Sequence, residues 1–162
     1  MAERLRNFEA IVRRAGRMTE ARSEPTGGTH PFDERDIHPK LPDVVRDLFD
    51  DGHYAQATFE AFKFIDKEVQ RHSKLTESGF KLMMQAFAEA SVAIQLTPLA
   101  TASDRDEQKG FQFLFAGSVL AIRNPRGHEV SLPDGPDRCL DHLSLASLLL
   151  RRLDESGFKC RS

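Results

Sequence analysis

One long amphipathic pattern constrains the fold of this chain more than any other feature. Between residues 107 and 122, apolar or small side chains recur at i, i+3, i+4, i+7, i+8 and i+11, which is the spacing of one helix face. These positions are Phe111, Leu114, Phe115, Ser118, Val119 and Ile122. The opposite side carries the small residues Gly110, Ala116 and Gly117, which would let another helix approach closely.

Four further segments repeat the helical period and are predicted as helices: residues 43–49, 54–71, 78–88 and 137–156. Residues 89–106 alternate apolar and polar side chains, as a strand would, but no second strand is available to pair with them. An ordered loop is therefore predicted, ending at a helix cap on Ser103 or Asp104. Together these segments predict an all-α fold class, a bundle of four or five helices.

The N-terminal region differs from the rest of the chain. Residues 3–18 place apolar side chains at helical spacing among arginines, which predicts a basic amphipathic helix, either a packing arm or a binding helix. Residues 19–36 are rich in glycine, proline and polar side chains and predict a linker. The predicted organisation is an N-terminal helix and linker at 1–36, a helical domain at 37–157 and a tail at 158–162.

Composition excludes several classes of protein. The longest apolar run is far shorter than the roughly 20 residues of a membrane helix, and the N-terminus lacks the pattern of a secretory signal, so a cytoplasmic location is expected. A net charge of −2 gives no overall nucleic-acid signature, so any RNA contact must be local. Cys139 and Cys160 lack metal-site spacing and are predicted to be reduced thiols; no cofactor or metal site is predicted.

A polar cluster follows the long amphipathic pattern directly, in the sequence AIRNPRGHE at 121–129. In a continuous helix Asn124 and His128 would share a face, whereas Arg123 would lie roughly 140° from His128. Pro125 and Gly127 are predicted to break the regular backbone, and this break would let Arg123, Asn124 and His128 converge. The sequence thus predicts chemistry at the end of this helix.

With these residues the chain resembles the HEPN superfamily, small α-helical bundles with an Arg-polar-x3-His motif near the end of a core helix. Arg123, Asn124 and His128 match that motif. The chain is also similar to a branch of bacterial conserved hypothetical proteins of the Ymh type. That likeness covers residues 37–154, in the stretches IHPKL, DGHYAQATFEAFKFI, SGFKLMMQAF, DEQKGFQFLFAGSVLAIRNPRGHE and SLLLRRLD.

The resemblance implies a metal-independent endoribonuclease that acts as a homodimer, with the motifs of two subunits meeting in one cleft. It also implies an RNA substrate and a role in phage defence, RNA processing or a toxin-antitoxin pair, with an antitoxin or defence-system protein as partner. One HEPN subgroup has a tyrosine two residues after the histidine that a partner enzyme modifies. Val130 occupies that position here, so this regulation is not carried over.

These residue types suit RNA cleavage without a metal. A histidine titrates near neutral pH and can transfer protons to and from the reacting oxygens. The planar guanidinium of Arg123 would stabilise charge on the phosphoryl group, and Asn124 would orient His128 or donate another hydrogen bond. Because each chain supplies one such histidine, a separate acid and base would require two copies, and a composite dimer site is predicted.

Alternative readings remain open at several positions. Arg126 would either hold the RNA backbone or be a solvated surface charge. The alternative to a phosphate-binding role for Arg123 is that it caps the C-terminal end of its helix and pairs with a carboxylate, with His128 as a turn residue. His53 and Tyr54 are predicted to be a helix-start cap and a packed ring. For the whole chain, the rival to a nuclease is a catalytically inactive HEPN dimer that binds RNA, a nucleotide or a protein.

Overall fold

A 20-residue helix is the element on which most of the others pack. A computed structural model describes residues 28–128 and 133–161, and every regular element within these ranges is helical, which confirms the all-α prediction. In chain order the elements are α1 (Pro31–Glu34), α2 (Asp43–Asp50), α3 (Tyr54–Ser73), α4 (Gly79–Ala86), a 3-10 turn (Glu89–Ser91), α5 (Ala102–Ser118), a π-helix (Val119–Arg123), α6 (Asn124–His128) and α7 (Pro136–Glu155). The central helix is α3, which contacts α2, α4, the π-helix, α6 and α7. The predicted N-terminal helix at 3–18 lies outside the described residues.

The compact unit begins at Pro31, six residues before the predicted boundary at residue 37. The predicted linker is wrong at its end, because Pro31–Glu34 is helical and Phe32 is buried, with its ring 5.2 Å from that of Phe49. A single aromatic residue in a polar stretch carries no periodic signal, although its burial can anchor the segment. The C-terminal segment also packs, since Cys160 is buried and Phe158 lies against His72.

The two longest predicted helices agree closely with the structure. Helix α3 begins at Tyr54 as predicted and ends at Ser73, and α7 ends at Glu155, shortly before Gly157 adopts a positive φ of 88°. A residue with positive φ after the last turn is a common helix terminator and favours glycine. The core of the unit lies where α3 and α7 meet, around Phe62, Ile65, Leu143 and Leu150.

The N-terminus of α5 differs from the prediction. The cap is Thr101, whose side chain accepts from the backbone N–H of Asp104, while the Asp104 carboxylate accepts from the Thr101 N–H. This reciprocal arrangement is a capping box, and it satisfies two helix-end donors at once. Ser103, one of the two predicted caps, is therefore already inside the helix.

Most of the face predicted for residues 107–122 is confirmed, since Phe115, Ser118 and Val119 are buried, but the buried surface of α5 is shifted at one edge. Leu114 is 45% exposed, whereas Gln108 and Gln112 are buried. Gln108 accepts from the backbone N–H of Leu96 and donates to the carbonyl oxygens of Phe87 and Ile94, at 2.8, 3.1 and 3.0 Å. These bonds satisfy backbone groups of the loop at 87–101 that a strand partner would otherwise satisfy. They explain how this segment is ordered without being a strand.

Candidate functional site

The predicted break at Pro125 and Gly127 is absent. Residues Asn124–His128 are helical, and they continue α5 through the π-helix Val119–Arg123, in which the Asn124 N–H donates to the Val119 carbonyl. Proline inside an α-helix clashes with the carbonyl four residues back. The i→i+5 spacing of the π-helix opens the turn before Pro125, so the chain passes the proline without ending the helix.

The π-helix also sets the direction of Arg123. One extra residue in a turn rotates the downstream residues by about 100° relative to an uninterrupted α-helix. Arg123 therefore takes the angular position that the amphipathic pattern assigned to Ile122, on the side facing α3. Its guanidinium carbon lies 5.5 Å from the centroid of the Phe59 ring on that helix.

Arg123 makes few polar contacts. Its Nη1 donates to Oδ1 of Asn124 at 3.2 Å, and its buried Nε has no hydrogen-bond partner among the described residues. Within 28–128 and 133–161, no carboxylate lies within ion-pair distance of it. Most of the guanidinium N–H groups are thus uncommitted, which is the arrangement that a phosphate-binding arginine needs.

Arg126 has the opposite environment. Its Nε and Nη2 donate to the two carboxylate oxygens of Asp134 at 2.6 and 3.0 Å, and its Nη1 donates to the Ile122 carbonyl at 2.8 Å. The side chains of Arg126 and Asp134 are 6% and 1% exposed. This buried bidentate pair ties α6 to the segment before α7, so we assign Arg126 a structural role and do not retain it as an RNA contact.

His128 is exposed at the end of α6, and it shares a helix face with Asn124 through the i,i+4 spacing. Among the described residues, no hydrogen bond or ion pair joins His128 to Arg123 or Asn124. The predicted convergence of all three residues by a backbone break is therefore wrong within one chain. The structure brings Arg123 and Asn124 together and leaves His128 open to solvent.

Two other histidines are held in structural settings. His38 is buried, with Nε2 3.3 Å from the Asp154 carboxylate; burial lowers its pKa, against the raising effect of Asp154. Burial likewise lowers the pKa of His142, which lies half-buried on α7 as a boundary residue. These environments favour the neutral imidazole, which fits a packing role.

His53 and Tyr54, at the start of α3, occupy the predicted helix-start and packing positions. His53 occupies the N-cap position without a side-chain capping bond. The ring of Tyr54 packs edge-on against Phe49 at 5.2 Å, as predicted. Across the described ranges, no group of three or more histidine, cysteine or acidic side chains is placed to hold a metal ion.

Phe59 and Gly127 were not identified as site residues from the sequence. A Cβ atom at Gly127 would lie 2.9 Å from Cε2 of Phe59, so the glycine lets α6 approach the ring closely. Phe59 belongs to a broad apolar stripe on α3 and carries no distinguishing signal in the sequence. Gly127 inside the motif was the one sequence feature that could have indicated this contact, since a glycine in a helix often marks a place where another side chain or backbone packs closely against the helix.

Fold and site together define an all-α protein with an Arg-Asn-x3-His motif at the end of a core helix. The chain belongs to a family described as "Protein of unknown function (Hypoth_ymh)", which matches residues 35–153. No curated protein and no solved structure matches the chain significantly. In the part of the chain that the structure describes, no helix combines the length and apolar character needed to cross a membrane.

Proposed function

We propose that this protein is a metal-independent endoribonuclease that cleaves RNA by attack of the 2′-hydroxyl on the adjacent phosphate. The observation that carries the proposal is the division of roles between two arginines three residues apart. An arginine that served only stability would bind a backbone carbonyl of its own helix and pair with a carboxylate. Arg126 does both, while Arg123 keeps its charge and most of its donors uncommitted.

The roles follow from the chemistry of each group. Arg123 binds the non-bridging phosphate oxygens, where charge develops in the transition state. His128, which is exposed, transfers protons at the 2′-hydroxyl or at the leaving 5′-oxygen. Asn124 is hydrogen-bonded to Arg123 and lies on the same helix face as His128, so it orients one or both of them.

A second copy of the chain completes the site in this proposal. One exposed face of α5 and the π-helix presents large apolar side chains, with Phe113, Leu114 and Leu120 exposed by 54%, 45% and 50%. Gly110 and Gly117 lie on this face, and no atom lies within 4 Å of a Cβ built on either one. Such an apolar face with small residues favours close helix packing against a partner.

The second copy is the occupant because the proposed chemistry needs it. The apolar face belongs to the same continuous helix that ends in the motif, so pairing through it would bring two motifs into one neighbourhood. Two His128 side chains would then provide the separate acid and base that one chain lacks. A cytoplasmic location is proposed from the composition of the chain. A role in phage defence, RNA processing or a toxin-antitoxin pair, with an antitoxin or defence-system partner, is proposed from the resemblance to HEPN proteins.

The test is cleavage of RNA by the purified full-length chain, with and without EDTA, followed by analysis of product ends. We expect EDTA-resistant cleavage that leaves 2′,3′-cyclic phosphate ends. His128→Ala should abolish cleavage while the dimer persists by size-exclusion chromatography with light scattering, and His53→Ala is the matched control. An undiminished rate in His128→Ala would contradict the proposal, and RNA binding without turnover in the wild type would favour an inactive binding module.

A further inference from the structure

The Phe59 ring lies beside two residues of the Arg-Asn-x3-His stretch, Arg123 and Gly127. Arg123 lies over it, with the guanidinium carbon 5.5 Å from the ring centroid. Gly127, which immediately precedes His128, lies so close that a methyl group on it would overlap the ring edge at 2.9 Å. A single side chain on α3 therefore contacts the neighbourhoods of both proposed catalytic residues.

The ring restrains Arg123 without using its donors. An arginine held by a carboxylate loses N–H groups and has its charge compensated, as Arg126 does against Asp134. An aromatic face attracts the guanidinium through the ring quadrupole and leaves the N–H groups at its edge free. Arg123 has this second kind of support, and only its bond to Asn124 engages a donor among the described residues.

Lys63 does not substitute for Arg123 on this ring. Its Nζ lies 6.0 Å from the ring centroid, but it also donates to both carboxylate oxygens of Glu60 at 3.0 Å. Its charge is therefore paired locally. Of these two cations beside Phe59, Arg123 is the one with donors left for a ligand.

We propose that Phe59 is a positioning residue that holds the Arg123 guanidinium for phosphate binding, and that Gly127 is needed to seat the ring. This inference rests on the proposed function, in which Arg123 binds the RNA phosphate. Leucine at position 59 would fill much of the same space without an aromatic face, whereas tyrosine would retain the face. The two substitutions thus separate packing from positioning.

The experiment is a double-mutant cycle on binding of a 2′-O-methyl RNA oligonucleotide, which lacks the attacking hydroxyl. We expect Phe59→Leu to weaken binding by about three- to tenfold and Phe59→Tyr to leave it nearly unchanged. Adding Phe59→Leu to Arg123→Ala should cause little further loss, because the ring acts through the arginine. Phe64→Leu, at another partly buried ring on α3, is the control for folding.

A second readout needs no RNA. The NMR signal of the Arg123 Nε–Hε group should carry a ring-current shift that Phe59→Leu removes and Phe64→Leu leaves in place. An unchanged signal in Phe59→Leu, or binding losses that multiply in the double variant, would overturn the positioning role. A wild type that binds the oligonucleotide but leaves ordinary RNA intact would instead refute the ribonuclease proposal, and the cycle would still decide the role of Phe59.

Discussion

Two ion pairs of equal length but different burial give a controlled test of the structural role assigned to Arg126. The Arg126–Asp134 and Arg35–Asp141 pairs both have a shortest N–O distance of 2.6 Å. The side chains of the first pair are 6% and 1% exposed, and those of the second are 41% and 69% exposed. The Coulomb attraction is thus largely unscreened in the first pair and screened by water in the second.

The expected costs of removing the carboxylate differ accordingly. Asp134→Ala would leave the Arg126 guanidinium buried without either of its carboxylate bonds, which costs about 3–5 kcal/mol of unfolding free energy. Arg138, with Nη1 3.6 Å from Asp134, would lose the same partner but is itself solvated. Asp141→Ala removes an exposed pair, which is expected to contribute about 0.2–1 kcal/mol.

Urea denaturation followed by far-UV circular dichroism measures both effects. With a slope of about 2 kcal/mol per M, the midpoint should fall by about 2 M in Asp134→Ala and by less than about 0.5 M in Asp141→Ala. Equal shifts in the two variants, or a loss below about 1 kcal/mol in Asp134→Ala, would refute the assigned role.

Local contacts elsewhere in the chain give three further predictions. Thr101→Ala should lower the unfolding free energy by about 1 kcal/mol because it removes the α5 cap, whereas Ser103→Ala should have little effect; equal thermal shifts would contradict the capping box. Burial raises the pKa of the Cys160 thiol to about 12, so alkylation of Cys160 at pH 8 should be slow in the folded protein and fast in urea. Fast labelling of Cys160 in the folded protein would contradict the burial of this side chain. Burial lowers the pKa of His38 below 6.5, so the unfolded state takes up the His38 proton at a higher pH than the folded state, and the free energy of unfolding should fall as pH drops from 7.5 to 5.5. The fall should be smaller in His38→Gln. Urea midpoints of the wild type and the variant at both pH values test this, and an equal fall in the two proteins would contradict the reasoning.

The helices were predictable where burial and the helical period agree. Along α7, Leu140, Leu143, Leu150 and Leu153 recur at helical spacing and are all buried. The same regularity located the start of α3 at Tyr54. In these segments the packing surface is supplied by apolar side chains alone, so hydropathy and structure report the same face.

Prediction failed where backbone groups decided the packing. Gln108 and Gln112 are buried on α5 because they donate to carbonyl oxygens of the preceding loop and helix, a need that appears only once the chain has folded. Leu114 is correspondingly turned outward. The predicted break at Pro125 was wrong for a similar reason. The π-helix that accommodates the proline packs against α3 and α4, and these contacts cannot be read from the local sequence.

The candidate site was predictable only in part. The motif residues and their helix were evident from the sequence, but the roles of the two arginines were not, because Asp134 and Phe59 reach them only through the fold. In the sequence, Arg123 and Arg126 both lie near the end of the same helix, and their spacing does not distinguish their roles. Their burial and partners in three dimensions distinguish a structural arginine from one with open donors.

The central claim is that two chains build one active site, and a purified heterodimer tests it most directly. Wild-type and His128→Ala chains carrying different affinity tags can be co-expressed and the mixed dimer isolated through both tags. If each site needs both copies of His128, the heterodimer should cleave RNA about a hundredfold or more slowly than the wild type. Cleavage at about half the wild-type rate would mean that each chain acts alone, and would contradict the composite site.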